Sequence, residues 1–340
     1  MSRHLPVYLL LDCSESMVGP PLDAVEVGVH SMLQALKRNP YALETVNLSL
    51  ITFDAKARII QPLSDVVSVA PPILSIKPGT ALGAALTLLR ESIERDLVKT
   101  TREVKGDWRP LVFILTDGSP TDDWRGPADR LKNAKSSLAS IYAIGCGEEA
   151  DFTILNQVAD VCIHMASLSP ESLAKLFVWL SASVQSMSSA PDDAIDLRKI
   201  PLEKGLELVD QADPPNRSST ADRRQYLHVM CCRTKRFYLL RYVQDPFNHG
   251  FVCQDAVPLP DDFFSEGAVK SPPIDANLLN GSAPCPYCHN EEWAQCGFCK
   301  HLFCFDPSSV GMKLTCPVCE MTLTMSLDGG GDFSVDGSQG

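Results

Sequence analysis

Pro6-Val7-Tyr8-Leu9-Leu10-Leu11-Asp12-Cys13-Ser14-Glu15-Ser16 decides the fold. An apolar run, Val7 to Leu11, stops at Asp12, and hydroxyls follow at Ser14 and Ser16. A short apolar run with polar borders reads as a strand buried on both faces. In an open parallel sheet, ligands gather in the crevice beyond the carboxyl ends of such strands. The loop after Leu11 therefore delivers one carboxylate and two hydroxyls to the place where that architecture binds things. Oxygen donors of this kind suit a hard cation such as magnesium, manganese or calcium. Taken alone, the same residues also serve as turn and helix-cap residues.

Working outward, the same design recurs. Pro110-Leu-Val-Phe-Ile-Leu-Thr-Asp117 is a second apolar run ending in aspartate, and Ser140 to Gly147 is a third buried strand. Leu22, Val25, Val29, Met32, Leu33 and Leu36 recur at helical spacing, and Asn39-Pro40 ends that helix. Val46 to Phe53 alternates as a strand. Ala57-Arg-Ile-Ile-Gln-Pro62 suits an antiparallel edge, where a proline is tolerated. Pro78-Gly79-Thr80 opens a helix running from Ala81 to Leu97. Short helices at about 127–137 and 151–158, a strand near Val161 to His164 and an amphipathic helix from Glu171 to Met187 complete the alternation. Strands alternating with helices of these lengths predict an α/β fold: a doubly wound, mostly parallel sheet with helices on both faces.

The chain has 340 residues, enough for one large core and a smaller unit. Its formal charge of −12 is spread along its length, without the basic footprint of a nucleic-acid binder. An acidic surface also argues against anionic membranes. No run approaches the roughly 20 apolar residues that span a bilayer. The apolar stretch near the N-terminus runs straight into acid without a small-residue cleavage site, so it reads as a strand and not a signal peptide. A cytoplasmic protein is the expectation.

Residues 1–190 are read as the first domain, 191–280 as linker and β-hairpin, 281–325 as a C-terminal metal-binding domain, and 326–340 as a flexible glycine-rich tail. Gln225 to Val243 reads as a hairpin turning at Arg233-Thr234-Lys235, with one face packed and one solvated.

Three separated segments, Asp12-Cys-Ser14-Glu-Ser16, Pro78-Gly-Thr80 and Leu115-Thr-Asp117, fall where one sheet edge gathers its loops. In order and spacing they resemble the metal-ion-dependent adhesion site (MIDAS) of von Willebrand factor type A domains, over about residues 5–188. The resemblance implies one divalent cation, magnesium or else manganese or calcium. Ser14, Ser16 and Thr80 would be direct ligands, and Asp12 and Asp117 direct or water-mediated ones. Two carboxylates just balance a dication, so the ion keeps an open position for a carboxylate from a partner protein. An aspartyl-phosphate mechanism is disfavoured because Ser14 stands where haloacid-dehalogenase phosphatases carry a second aspartate. No phosphate-cradling glycine loop of the Walker type appears. No catalytic residue is assigned.

Seven of the thirteen cysteines crowd between Cys285 and Cys319. The candidate ligands pair as Cys285/Cys288, Cys296/Cys299, His301/Cys304 and Cys316/Cys319, each with two residues between. Eight ligands satisfy two tetrahedral zinc ions. Only Lys300 separates the second pair from the third, which favours interleaving. Cys285, Cys288, His301 and Cys304 are expected on one zinc, and Cys296, Cys299, Cys316 and Cys319 on the other. His289 is the rival imidazole. Cys13, Cys146, Cys162, Cys231, Cys232 and Cys253 lack metal spacing and are expected as reduced core residues.

A type A domain followed by such a module resembles the TerY group of bacterial tellurite-resistance-associated proteins. The resemblance implies a non-catalytic adaptor in a stress-response phosphorylation system with a protein kinase and a metal-dependent protein phosphatase. The competing readings are a RING-like ubiquitin-transfer protein, for which the single-residue gap between Cys299 and His301 fits poorly, and a substrate-recruiting subunit of a chaperone-like ATPase.

Overall fold

In the computed structural model, the residues described are 3–117, 119–132, 138–147, 150–189, 200–210, 224–245, 250–264, 273–306, 308, 313–324 and 334–336. The chain divides into two units, Met1–Ser219 and Thr220–Gly340.

The first unit is built on β1 (Leu5–Asp12), every residue of which is buried. Its neighbours are β2 (Val46–Phe53) and β4 (Leu111–Thr116), both parallel to it. β3 (Ala57–Asp65) lies antiparallel beyond β2 and forms one edge. β5 (Ser140–Cys146) and β6 (Val161–Met165) continue the parallel sheet beyond β4. β7 (Leu206–Leu208) closes the other edge antiparallel to β6, giving the order β3-β2-β1-β4-β5-β6-β7. Doubly wound architecture is thus present as expected, with both edge strands antiparallel. β7 falls in sequence read as linker, so the first unit runs beyond residue 190. The neighbouring stretches 190–199 and 211–223 lie outside the described residues.

Alternation along each central strand sorts side chains between two layers. Tyr8, Leu10, Val112 and Ile114 join a core with Leu82, Leu86, Leu89, Trp124 and Phe152. These come from α3 (Leu82–Asp96), the turn before α4 (Arg125–Lys132), and α5 (Phe152–Val158); residues 133–137, expected to continue the helix of α4, lie outside the described residues. Phe113 points the other way and meets Trp179 of α6 (Pro170–Ser189) edge-on at 6.3 Å. α1 (Pro20–Arg38) packs beside α6, so closely that a Cβ on Gly28 would lie 2.0 Å from the Phe177 ring. The helix expected to stop at Asn39-Pro40 does stop. Asn39 then caps a further short helix, α2 (Pro40–Thr45), by accepting from the Ala42 amide at 3.1 Å. That helix escaped the sequence reading because proline at the first helical position both ends one helix and starts another.

The second unit centres on a six-stranded sheet. β8 (Arg224–Met230) and β9 (Phe237–Gln244) form the hairpin, and β10 (Phe251–Pro258) pairs with β9. β12 (Leu279–Asn280) joins β10, while β13 (Glu292–Gln295) and β14 (Leu302–Phe305) form a second hairpin. β14 runs parallel to β8, with Leu302 opposite Val229 and Phe303 opposite Met230. The hairpin read as an extension and the cysteine-rich segment read as a separate domain therefore share one sheet. Smaller ladders join β15 (Lys313–Thr315) to β16 (Thr322–Thr324), and β11 (Pro273–Asp275) to β17 (Ser334–Asp336). β17 lies in the stretch expected to be a flexible tail. Val335 is fully buried there against the same core as Tyr238 and Tyr242, which is what orders it. The rest of that tail, 326–333 and 337–340, lies outside the described residues. Among the described residues, no helix is long and apolar enough to cross a membrane.

Candidate functional site

Adjacent strands β1 and β4 end side by side, with Leu11 in register with Leu115, so Asp12 and Asp117 leave the sheet at the same edge. Both are 2% exposed, Ser14 and Thr80 are 0% and 1%, and Ser16 is 5%. The loop folds on its own carboxylate, because the Ser14 amide donates to Asp12 Oδ1 at 3.0 Å. Ser14 Oγ and Ser16 Oγ lie 3.0 Å apart, and Ser16 Oγ donates to Asp117 Oδ1 at 2.5 Å. Four of the five sequence-predicted residues are thus joined by direct hydrogen bonds across two strands.

Thr80 arrives from a third segment, fixed by its backbone. Its amide donates to Thr121 Oγ1 at 3.0 Å and its carbonyl accepts from the Thr121 amide at 2.9 Å. On the other side, Ala81 N donates to Asp54 O at 2.6 Å. Gly79 adopts φ 94°, a left-handed conformation that costs glycine little, and its amide donates to Glu15 Oε2 at 3.0 Å. The Asp122 carboxylate accepts from the Gly83 and Ala84 amides at 2.9 and 2.8 Å, capping α3. Here a Cβ on Gly83 would lie 2.3 Å from the Asp123 carbonyl oxygen, so the close approach requires glycine.

Two properties of the residues fit a cation. First, Thr80 Oγ1 is buried with no hydrogen-bond partner among the described residues. An orphaned hydroxyl costs about 1–3 kcal/mol unless something takes its lone pairs. Second, burial and the nearby Asp117 charge both push the Asp12 carboxyl upward, while donors from Thr116 and Ser14 oppose them. Two buried carboxylates resist ionising together, and a bound dication removes that penalty. Thr116, Thr121, Asp122 and Glu15 were not singled out from sequence. Thr116 Oγ1 donates to Asp12 Oδ2 at 2.5 Å, and its place beside Asp117 was the available signal.

The second unit gathers thiols in two sets. Cys296, Cys299, Cys316 and Cys319 offer sulfurs all within 4.8 Å of one another. Cys296–Cys319 and Cys299–Cys316 are 3.6 and 3.7 Å apart. Tetrahedral zinc with bonds of about 2.3 Å places its sulfurs about 3.8 Å apart. The other set is Cys231, Cys285, Cys288 and Cys304. His301 does not join Cys285, Cys288 and Cys304 as expected. It is exposed, and its Nδ1 lies 3.2 Å from the Cys299 carbonyl. The reason is local: β14 begins at Leu302, and pairing with β13 sends alternate side chains to opposite faces. Cys231, expected as a plain core residue, takes the fourth place. His289 is in neither set. Cys13, Cys146 and Cys162 are buried in the first unit, as core cysteines are, whereas Cys232 and Cys253, also expected in a core, are half-buried.

Residues 7–172 match the family model of the von Willebrand factor type A domain. The chain is 24% identical over 169 residues to the human inter-alpha-trypsin inhibitor heavy chain H6, covering 45% of this chain and 12% of that protein. It is 26% identical over 165 residues to the mouse collagen alpha-5(VI) chain, covering 46% of this chain and 6% of that one. It thus spans a small part of the length of either relative. Among solved structures, the ArnB paralog VWA2 from Sulfolobus acidocaldarius is 17% identical with a TM-score of 0.38, covering 52% of this chain and 45% of that chain.

Proposed function

We propose that this chain, whose residues 7–172 form a von Willebrand factor type A domain, is a non-catalytic adaptor that captures an acidic segment of a protein partner through a divalent cation. Domains of this type commonly bind such an ion and mediate protein–protein interaction. Asp12, Ser14, Ser16, Thr80 and Asp117 would hold it, with magnesium as the expected occupant. The cation supplies a Lewis-acidic position for a partner carboxylate. The chain's own residues orient it, exclude water and supply only two formal negative charges. An ion so weakly neutralised keeps its attraction for a further carboxylate. The observation that carries this reading is the buried, unpartnered Thr80 hydroxyl, held by backbone hydrogen bonds to the loop that follows Asp117.

Within that reading the second unit is a structural module folded by zinc, with Cys296, Cys299, Cys316 and Cys319 as one ligand set. Closed four-ligand sites leave no room for substrate. The likeness to the TerY group supports a cytoplasmic place in a tellurite-resistance or stress-response set, beside a protein kinase and a metal-dependent protein phosphatase.

The test uses the full chain. Manganese(II) binding followed by electron paramagnetic resonance is expected to show one site in the wild type. Asp12→Ala should abolish it, and Thr80→Ala should weaken it at least about tenfold, the loss that removing even an outer partner of a metal ligand causes. Capture of a purified candidate kinase or phosphatase is expected to need added magnesium and to be lost in Asp12→Ala. Manganese uptake unchanged in Asp12→Ala overturns the cation site, and magnesium-independent capture overturns its role in binding.

A further inference from the structure

The turn Cys231-Cys232-Arg233-Thr234-Lys235-Arg236 repeats the backbone of the three CxxC turns. At Cys285, Cys296 and Cys316, the amide of the first cysteine donates to the carbonyl five residues on, at 2.8, 2.9 and 2.9 Å. The amide four residues on donates back to that cysteine's carbonyl, at 2.9, 3.0 and 3.0 Å. The residue making that return bond is left-handed each time: His289 at φ 61°, Lys300 at 63° and Glu320 at 61°. Cys231 N donates to Arg236 O at 2.9 Å, Lys235 N donates to Cys231 O at 3.0 Å, and Lys235 has φ 57°. These four are the only non-glycine positive φ angles among the described residues. A non-glycine residue held left-handed is strained, and three of these four residues close CxxC turns.

We infer that Cys231, Cys285, Cys288 and Cys304 form a four-thiolate zinc site, in which the β8–β9 turn is a metal knuckle that carries Thr234 where the others carry their second cysteine. Cys304 stands in for that missing ligand from a strand. The Cys288 and Cys304 sulfurs are 3.5 Å apart. Because Cys304 is not in a knuckle, its amide donors come from elsewhere. Cys232 N donates to its sulfur at 3.4 Å, and Asn290 Nδ2 lies 3.9 Å from it and 3.4 Å from Cys232 Sγ. Thr234 N donates to Cys231 Sγ at 3.4 Å, the bond a knuckle makes to its own thiolate.

Four thiolates around one dication leave a net charge of −2, and the same turn supplies Arg233, Lys235 and Arg236. Arg236 stacks over Tyr287, within the Cys285–Cys288 knuckle, at 5.0 Å, and pairs with Asp261 at 2.8 Å. Arg236 of the hairpin thus packs against the Cys285–Cys288 knuckle. The ion would join residues 54 positions apart, Cys231 and Cys285, and so staple the hairpin to the cysteine-rich segment.

This inference rests on the zinc reading of the second unit, and the experiment separates the two. Zinc per full-length chain is measured after purification in zinc and removal of loose metal. Two zincs are expected in the wild type, two in His301→Ala, two in Cys232→Ser and one in Cys231→Ser. Should Cys231→Ser fail to fold, Cys231→His is the second variant: two metals retained, with cobalt(II)-loaded protein losing about one eighth of the thiolate-to-cobalt charge-transfer intensity, one thiolate of eight. Cobalt in the wild type should show four thiolates at both sites. Two zincs in Cys231→Ser, or loss of a zinc in His301→Ala, overturns the Cys231 assignment while leaving the zinc module standing. Fewer than one zinc in the wild type overturns both.

Discussion

Asp12→Asn is the substitution that separates a cation-holding carboxylate from a structural one. In the metal-free chain, burial first and the Asp117 charge second push the Asp12 carboxyl up to about 8, from an ordinary value of 3.8. The sign follows from which state is ionised. Below the ordinary value both folded and unfolded chains carry the proton, and the group has no effect. Between the ordinary and the raised value the unfolded chain releases its proton and the folded chain keeps it. Metal-free stability therefore falls as pH rises through that window, by about 1.4 kcal/mol per pH unit. At pH 7 the loss amounts to at most about 4 kcal/mol. Asparagine has no proton to lose and almost the same shape: it can accept from the Ser14 amide as Asp12 Oδ1 does, and the Thr116 hydroxyl can rotate to accept from its NH₂. The mutant should be the more stable protein without divalent ions at pH 7. With about 2–4 °C per kcal/mol for a domain of this size, the gain in melting temperature is several degrees, with a ceiling of about 8–16 °C. Added magnesium should reverse the order, since only the wild type binds it and gains RT ln(1 + [Mg]/Kd). The assay is thermal unfolding of the full chain by near-ultraviolet circular dichroism, where Trp108, Trp124 and Trp179 report on the first unit, with and without millimolar magnesium from pH 5 to 8. A mutant that melts lower than wild type without magnesium, or that still gains stability from magnesium, refutes the reasoning.

Other expected outcomes follow from close approaches and from the metals. Gly83→Val should destabilise the first unit by about 1–3 kcal/mol, because its Cβ meets the Asp123 carbonyl oxygen at 2.3 Å, and it should blunt the magnesium response by displacing the 117–123 loop; melting curves test both. Gly28→Ala should cost about the same by displacing Phe177 between α1 and α6, yet leave manganese affinity unchanged. A strong chelator should remove hydrogen-exchange protection from 224–245 and 273–306 together while β1, β4 and β5 stay protected, since a small thiol-rich sheet depends on its metal for folding energy. If the 224–245 hairpin keeps its protection, the metal does not hold it.

The parallel sheet was legible because its central strands are apolar on both faces, and two of them, β1 and β4, run into an aspartate. Asp12 and Asp117 mark those ends in the sequence as plainly as in space. Thr80 needed more. Nothing local distinguishes it from any threonine before a helix, and its position depends on Thr121, Glu15 and Gly79, residues contributed by three loops. Order and spacing against a known pattern made it visible where chemistry alone did not. The α2 helix and β7 were hidden for opposite reasons. Pro40 looked only like a terminator, and Leu206–Leu208 is too short to show a period.

Cys231 shows how a metal site escapes a search for paired ligands. Spacing rules find ligands that share a turn, since a CxxC pair reveals itself within four residues. A ligand set assembled from a hairpin turn, one CxxC knuckle and a strand has only one such pair to reveal. The physical requirement is a turn whose backbone aims a sulfur inward, and that requirement is met by Cys231 with Lys235 left-handed as fully as by Cys296 with Lys300. His301, by contrast, has ligand spacing to Cys304 but sits where the chain has just left a knuckle, with its carbonyl accepting from Cys296 N. That bond fixes its backbone in the second knuckle and leaves its ring exposed. Backbone geometry therefore outweighs residue type in choosing the fourth ligand. A histidine introduced at position 231 should bind metal where the native histidine at 301 does not, and the cobalt spectrum of Cys231→His distinguishes the two.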